Sequence, residues 1–456
     1  MNNKVYKKIN VFIGLLFITV SLFINDWIPQ VLIGILMNLD KPRTRIVFYS
    51  LFYFCKCVGI LVGFIIIRKR KIIDTYSLIL LFCIPVVLFP VLLEVYARFE
   101  VLSLFQSPYP FPDKNVEIME KENFPDMSEF LKDRKNARGY RYYDYHYFAF
   151  KPFTTKTVTF TDYFSARNVP DSVPLGKGDL IIWIFGGSTM ENFDISDEYT
   201  IANQFAKKLL ENNISATVFN FGVSAFQSSL ESIKFQEILR RVKESEIPDI
   251  VIFYDGFNDS ANSYISGAGN MQYTFSNKLK TIIEGNNKLM FNYYLTDYIS
   301  RYSAWWRKYS GPFIQWKVYG KGQWNGSSQN LHMAVNIYSM NTRMIRAICN
   351  DFDITPVFIL QPMIFTKTQL TDFEKSVYAT CDTVMIKFMK DFYSLVRQSM
   401  GERNDFYDLS GILNTSIRND FYDYGHNGPY TSVTIGEEIA KIVREISIKQ
   451  VIINRK

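Results

Sequence analysis

Residues 179–193 read DLIIWIFGGSTMENF. A short apolar run, rich in isoleucine and aromatic residues, stops abruptly on Gly186-Gly187-Ser188-Thr189. Such a run is too short for an amphipathic helix and lacks polar alternation, so it predicts a strand buried on both faces of a parallel sheet. The pattern then repeats. Helical spacing over 198–213 is followed by a strand at 216–223, a helix over about 228–244 and a strand at 248–256. Farther on come a helix at 330–350, a strand at 355–362, one helix over about 370–399, a short strand at 405–410 and a closing helix at 433–446. Apolar strands alternating with helices predict an α/β fold, a mostly parallel sheet covered on both faces as a three-layer sandwich. Ligands of such sheets bind beyond the carboxyl ends of the strands. Gly187-Ser188, Gly222 and the run Gly256-Phe257-Asn258-Asp259 all fall at those ends.

A serine at such an end is a turn residue, a helix cap or a nucleophile. As a nucleophile it needs a base within hydrogen-bond reach, a group that orients the base, and donors for the developing oxyanion. The chain has three histidines, His146, His332 and His426. His146 sits in an aromatic stretch and His332 early in a helix, and both read as structural or exposed. His426 lies in FYDYGHNGPY, between the last strand and the last helix, with Asp423 three residues before it. In a tight turn that spacing lets the carboxylate accept one imidazole N–H and leaves the other nitrogen to take a proton from serine. Ser188 through its own N–H, Gly222 through its backbone N–H and Asn258 through its side-chain amide then make three oxyanion donors. Two rival motifs fail. DSVPLGKGD has Asp171 and Gly178 where a phosphate-binding loop needs glycine and a hydroxyl, and GVSAF has Phe226 where the nucleophile elbow of an α/β-hydrolase needs glycine.

Four ordered blocks, FGGSTM, NFGVSAFQS, YDGFND and DYGH, make the stretch 179–447 similar to the SGNH (GDSL-like) hydrolases. The resemblance implies a flavodoxin-like sandwich, a nucleophile at Ser188, oxyanion donors at Ser188, Gly222 and Asn258, and a base and its orienter at His426 and Asp423. It implies no cofactor. One departure stands out: Gly187 occupies the position where the commoner family motif has aspartate. Gly187, Asp259 and Gln361 are read as supporting residues, with Asp259 bracing its loop rather than acting as a base and Gln361 either facing the pocket or packing behind it.

The net charge of +7 looks like an invitation to an acidic partner, yet residues 1–100 hold twelve Lys/Arg against five Asp/Glu and so account for all of it. The rest is formally neutral, which argues against nucleic acid as a partner. With 48% hydrophobic and 16% aromatic residues, disorder is excluded as well. The basic third is also apolar: residues 9–37, 46–67 and 76–96 predict three transmembrane helices. The first lacks a small-x-small cleavage site, so it is read as an uncleaved anchor. Lys4, Lys7, Lys8 and the RKRK loop at 68–71 place the amino terminus inside and everything after Arg98 outside. Lys56, within the second span, has no assigned role.

The expected domains are a membrane region (1–100), an aromatic membrane-proximal lead-in (101–178) and a hydrolase domain (179–447) interrupted by an insertion at about 260–328. That insertion carries Trp305, Trp306, Trp316 and Trp324, read either as a sugar-stacking surface or as packing. Cys349 and Cys381 are left open as a disulfide pair, and no Cys/His spacing suits a metal. The expected function is a membrane-anchored, extracytoplasmic serine esterase acting on O-acetyl groups of envelope or secreted glycans. The alternatives are an O-acyltransferase with a membrane partner supplying its acyl donor, or an inactive glycan-binding module.

Overall fold

The structure is a computed structural model that describes residues 140–143, 145–192, 195–269 and 326–454, with scattered positions between 11 and 133. The predicted spans, Lys56 and the four tryptophans of the insertion lie outside the described residues, save for scattered positions of the first two spans. Among the described residues no helix is long and apolar enough to cross a membrane. By contacts the chain divides into two units, Met1–Ser107 with Asn277–Lys321, and Pro108–Ser276 with Gly322–Lys456. The sheet belongs to the second unit.

Four short strands come first: β1 (Tyr140–Tyr143) pairs with β2 (Tyr147–Phe150), and β3 (Phe153–Thr154) with β4 (Thr159–Phe160), both antiparallel. The central sheet contains β5 (Leu180–Gly186), β6 (Ala216–Asn220), β7 (Ile250–Asp255), β8 (Thr355–Leu360) and β9 (Phe406–Asp408). Its order is β6-β5-β7-β8-β9 and every pairing is parallel. Numbered among themselves the five strands run 2-1-3-4-5, the flavodoxin-like order, in which the chain reverses its direction of winding between the first and third strands. The described helices are α1 (Ser188–Glu191), α2 (Ile201–Glu211), α3 (Ser228–Leu239), α4 (Phe257–Ser266), α5 (Ser328–Asp351), α6 (Asp372–Tyr378), α7 (Thr383–Met400) and α8 (Pro429–Asn454).

Successive strand residues point to opposite faces, and each face is closed by its own helices. Ile182, Ile184, Ile250, Ile252, Val357 and Ile359 pack with Ile201 and Phe205 of α2 and Ile435 and Ile439 of α8. Trp183, Phe185, Val251, Phe253 and Phe358 pack with Phe235 of α3, Val335 and Ile345 of α5 and Phe392 of α7. The strands are apolar throughout because both faces are covered. On the second face the register aligns Phe185 with Phe253 and Phe253 with Phe358. Their rings stack at 5.2 and 5.7 Å between centroids.

Three boundaries differ from expectation. The single helix expected over 370–399 is two. Thr371 and Glu374 form a capping box that starts α6, and the Asp382 side chain accepts the N–H groups of Val384 and Met385 to start α7. The described residues of the stretch 101–178 fall in the same unit as the sheet, and Arg167 makes an antiparallel bridge to Asn220 at the edge of β6. The flanks of the expected insertion are also helical, in α4 and α5. Cys349 and Cys381 are free thiols, so the pairing left open above is not formed; burial pushes the Cys349 thiol up to about 12.

Phe253 is fully buried between two stacked neighbours, so Phe253→Ala removes a large side chain from a site that cannot collapse. The expected loss is about 3–5 kcal/mol of stability, measured by chemical denaturation; a change below about 1 kcal/mol would exclude the ladder as a major support.

Candidate active site

β5 ends at Gly186, and Gly187 is the N-cap of the one-turn helix α1, so Ser188 is its first helical residue and not its cap. The cap reading of Ser188 therefore fails. Its hydroxyl instead lies 2.7 Å from His426 Nε2, across 238 residues of sequence. His426 Nδ1 lies 2.6 Å from Asp423 Oδ2. The other carboxylate oxygen, Oδ1, accepts the backbone N–H groups of Gly425 and His426 at 2.8 and 2.7 Å, which is how a three-residue spacing closes on itself. Burial works to raise the Asp423 carboxyl, but the adjoining His426 ring and these hydrogen bonds outweigh it and hold the group below its ordinary value. Ser188 and the two partners remain partly exposed, His426 by 22% of its side chain.

The turn that carries Asp423 and His426 is held from below by a buried cation. Lys367 Nζ donates to both oxygens of Glu374 at 3.0 and 2.8 Å, to Asp420 Oδ2 at 2.7 Å and to the Arg418 carbonyl at 2.8 Å. Glu374 also accepts the N–H groups of Asp420 and Phe421, and Thr431 of α8 donates to Asp420 Oδ1 at 2.8 Å. Both ends of the Asp423–His426 turn are thereby fixed.

The expected oxyanion donors fare differently. Asn258 lies at the start of α4, where one N–H of its amide reaches the Phe226 carbonyl at 2.6 Å. A Cβ on Gly187 would come within 2.2 Å of that amide nitrogen. Gly187 is thus required by the close approach of Asn258, since its own backbone is extended (φ −80°). The Ser188 N–H, first in its helix, has no acceptor among the described residues, as helix starts leave it. Gly222 is a correction: its N–H is committed to Asn220 Oδ1 at 3.0 Å and cannot serve an oxyanion. A Cβ there would meet the Glu191 nitrogen at 2.5 Å, so this glycine allows α1 to pack on the turn after β6. In that turn the N–H of Val223 goes to Gly186 O, that of Ser224 to Glu191 Oε2 and that of Phe226 to Val223 O. The Ala225 N–H alone has no acceptor among the described residues, and Ala225 is held at φ +67°. It stands one residue from the carbonyl that grips Asn258.

The supporting residues are placed as follows. Asp259 accepts the Ser228 N–H and hydroxyl, the latter at 2.5 Å, and so ties α4 to α3; burial pushes it up to about 6. Gln361 is buried, takes the Thr189 hydroxyl at 3.1 Å and thereby reaches α1 from the end of β8. His146 is buried and takes no part in the Ser188–His426–Asp423 relay: it pairs with Glu237, stacks on Tyr143 at 4.4 Å, and burial lowers it to about 3. His332 is exposed on α5.

Sequence reading missed Arg167, Glu191 and Lys234. Arg167, from the aromatic lead-in, is buried; its guanidinium donates to Asp197 Oδ1 at 2.8 Å, to the carbonyls of Glu191 and Asn192 at the end of α1, and to that of Ile195 just beyond. Lys234 donates to Phe221 O at 3.0 Å from a fully buried position on α3. A charged residue inside an otherwise amphipathic pattern carries no signal of burial, so none of the three was visible in advance. A cavity of about 480 Å³ opens beyond β8 and β9, lined by Lys390, Tyr393, Arg397 and Asp408 among others, and contains none of Ser188, Asp423 and His426. No group of His, Cys, Asp and Glu among the described residues is arranged to hold a metal ion.

No family model and no curated protein matches the chain. Among solved structures it is similar to a lipolytic protein assigned to the G-D-S-L family from Desulfitobacterium hafniense DCB-2 (10% identity, TM-score 0.32, covering 58% of this chain and 99% of that one). It is similar also to the acetyl xylan esterase AlAXEase (9%, 0.34, 59% and 99%). A third is Axe2, an acetylxylan esterase from Geobacillus stearothermophilus (12%, 0.33, 59% and 96%). At these scores the likeness says nothing about substrate.

Lys367→Met leaves Glu374 and Asp420 as buried carboxylates without their cation. Breaking such a pair from one side costs about 3–5 kcal/mol, to be read as a lowered denaturation midpoint; an unchanged midpoint would show the cluster to be dispensable.

Proposed function

We propose that this chain is an SGNH-type serine esterase that forms an acyl-enzyme on Ser188. The observation that carries the reading is the unbroken relay from Ser188 Oγ to His426 Nε2 (2.7 Å) and from His426 Nδ1 to Asp423 Oδ2 (2.6 Å) at the carboxyl edge of a parallel sheet. In this reading His426 removes the hydroxyl proton as Ser188 attacks an ester carbonyl. Asp423, kept ionised, stabilises the imidazolium that results. The oxyanion forms beside the N–H groups of Ser188 and Ala225 and the Asn258 amide, and His426 returns its proton to the departing alcohol. Water, activated by the same imidazole, then releases the acid.

For substrate we propose O-acetyl groups of envelope or secreted glycans. The support is the apolar, basic sequence of residues 1–100, which fits a membrane anchor with the esterase domain outside the cytoplasm, together with the esterase chemistry above. An acyl acceptor other than water would turn the same acyl-enzyme into a transferase, and the direction of change in glycan acetylation separates them. Loss of the gene should raise O-acetylation of the glycan for an esterase and lower it for a transferase.

Ser188→Ala is expected to lower the turnover of p-nitrophenyl acetate by a factor of about 10³ or more, because attack and proton transfer act as a unit. Asp423→Asn should cost about 10⁴ by misorienting the imidazole. Equal rates for the wild type and Ser188→Ala would sink the serine mechanism.

A further inference from the structure

We propose that Glu191 is a positioning residue that decides which backbone N–H of the turn after β6 faces the substrate. The inference rests on the serine-esterase reading of Ser188. Glu191 stands one helical turn after Ser188, at the end of α1, and is fully buried. One of its carboxylate oxygens accepts the Ser224 N–H, and the other, Oε1, is buried without a partner among the described residues. Burial pushes its carboxyl up to about 7, against the help of Ser224, Arg167 and Lys234. A group that costs stability in this way is not there for packing.

Its position explains the cost. Two buried ionisable side chains grip the turn: Lys234, itself lowered to about 7 by burial, holds the Phe221 carbonyl, and Glu191 holds the Ser224 N–H. With Ser224 N–H drawn towards α1, the left-handed Ala225 places the next N–H of the turn without an acceptor among the described residues. That N–H adjoins the carbonyl that holds Asn258. A carboxylate acceptor on the nucleophile's own helix thus couples the position of Ser188 to the donor offered by the neighbouring loop. Preorganised donors are the largest single source of stabilisation for developing oxyanions. An acceptor that fixes one of them acts on turnover more than on substrate binding.

The test uses the full chain in detergent, with p-nitrophenyl acetate as the probe and Ser188→Ala in parallel. Glu191→Met, which fills the volume without offering an acceptor, is expected to lower kcat at least about tenfold while KM stays within about threefold, since loss of one such donor costs about 10²–10³ in kcat. Glu191→Gln keeps an oxygen for Ser224 and should retain kcat within about threefold of the wild type. Independently of any variant, amide hydrogen exchange of the wild type should find Ser224 protected and Ala225 fast. Folded Glu191→Met with wild-type kcat, Glu191→Gln as impaired as Glu191→Met, or a protected Ala225 amide would each overturn the proposal. Glu191→Ala replaces Glu191→Met if the latter does not fold. Wild-type rates no higher than those of Ser188→Ala would instead bring down the serine reading, and the inference with it.

Discussion

Parallel pairing of β5 with both β6 and β7 is the constraint from which the rest of the site follows. Parallel strands put all their carboxyl ends on one edge, roughly 5 Å apart. The chain leaves β5 at Ser188, β6 at the turn of 221–226 and β7 at Asn258, so three segments remote in sequence emerge side by side. These three exits then interlock: Val223 N–H returns to Gly186 O through backbone, and the Asn258 side-chain amide donates to Phe226 O. His426 completes the group from the segment between β9 and α8, and needs its own anchorage because no strand holds it. That anchorage is the Lys367–Glu374–Asp420 cluster.

The site is also where the protein buries charge that a core would otherwise avoid. Arg167 with Asp197, Lys234, Glu191, Glu231, Asp255 and Asp259 all lie beneath the carboxyl edge of β5–β7 or beside it. Burial, with repulsion from neighbouring carboxylates added, holds Glu231 and Asp255 well above the usual carboxylate range. Buried ionisable groups are weak contributors to stability. Four of them, Arg167, Lys234, Glu191 and Asp259, are tied to particular backbone atoms: carbonyls at the end of α1, the Phe221 carbonyl, and the N–H groups of Ser224 and Ser228. Irregular backbone at the edge of a sheet has few ladder partners, and buried ionisable side chains supply them.

The two glycines before Ser188 show how function and packing share one residue type. Space for a ligand is the obvious reason for small residues beside a nucleophile, but neighbouring protein fills that space. A Cβ on Gly186 would meet Met190 Cβ at 2.6 Å, and one on Gly187 would meet the Asn258 amide. Gly222 has the same explanation on α1. Within the turn of 221–226 the residue that does hold a left-handed conformation is Ala225, where glycine would be the usual choice.

By itself the sequence determined the alternation of apolar strands and helices, and with it a parallel sheet whose site lies at its carboxyl edge. Periodicity is local, and both faces of every strand had to be apolar for helices to cover them. It also singled out Ser188, Asp423 and His426, because Asp-x-x-His before a final helix is a short-range pattern and only one histidine stood in it. Only the tertiary structure decided what binds each N–H. Gly222 looked like a donor until Asn220 took its hydrogen, and Ala225 gave no sign until the turn left its N–H without an acceptor. The break at Ala379–Asp382 was written in the capping residues Thr371, Glu374 and Asp382, yet a continuous apolar period masked it. Arg167, Glu191 and Lys367 were illegible for a common physical reason: a charged side chain is buried only when distant chain brings partners to it, and no local pattern records those partners.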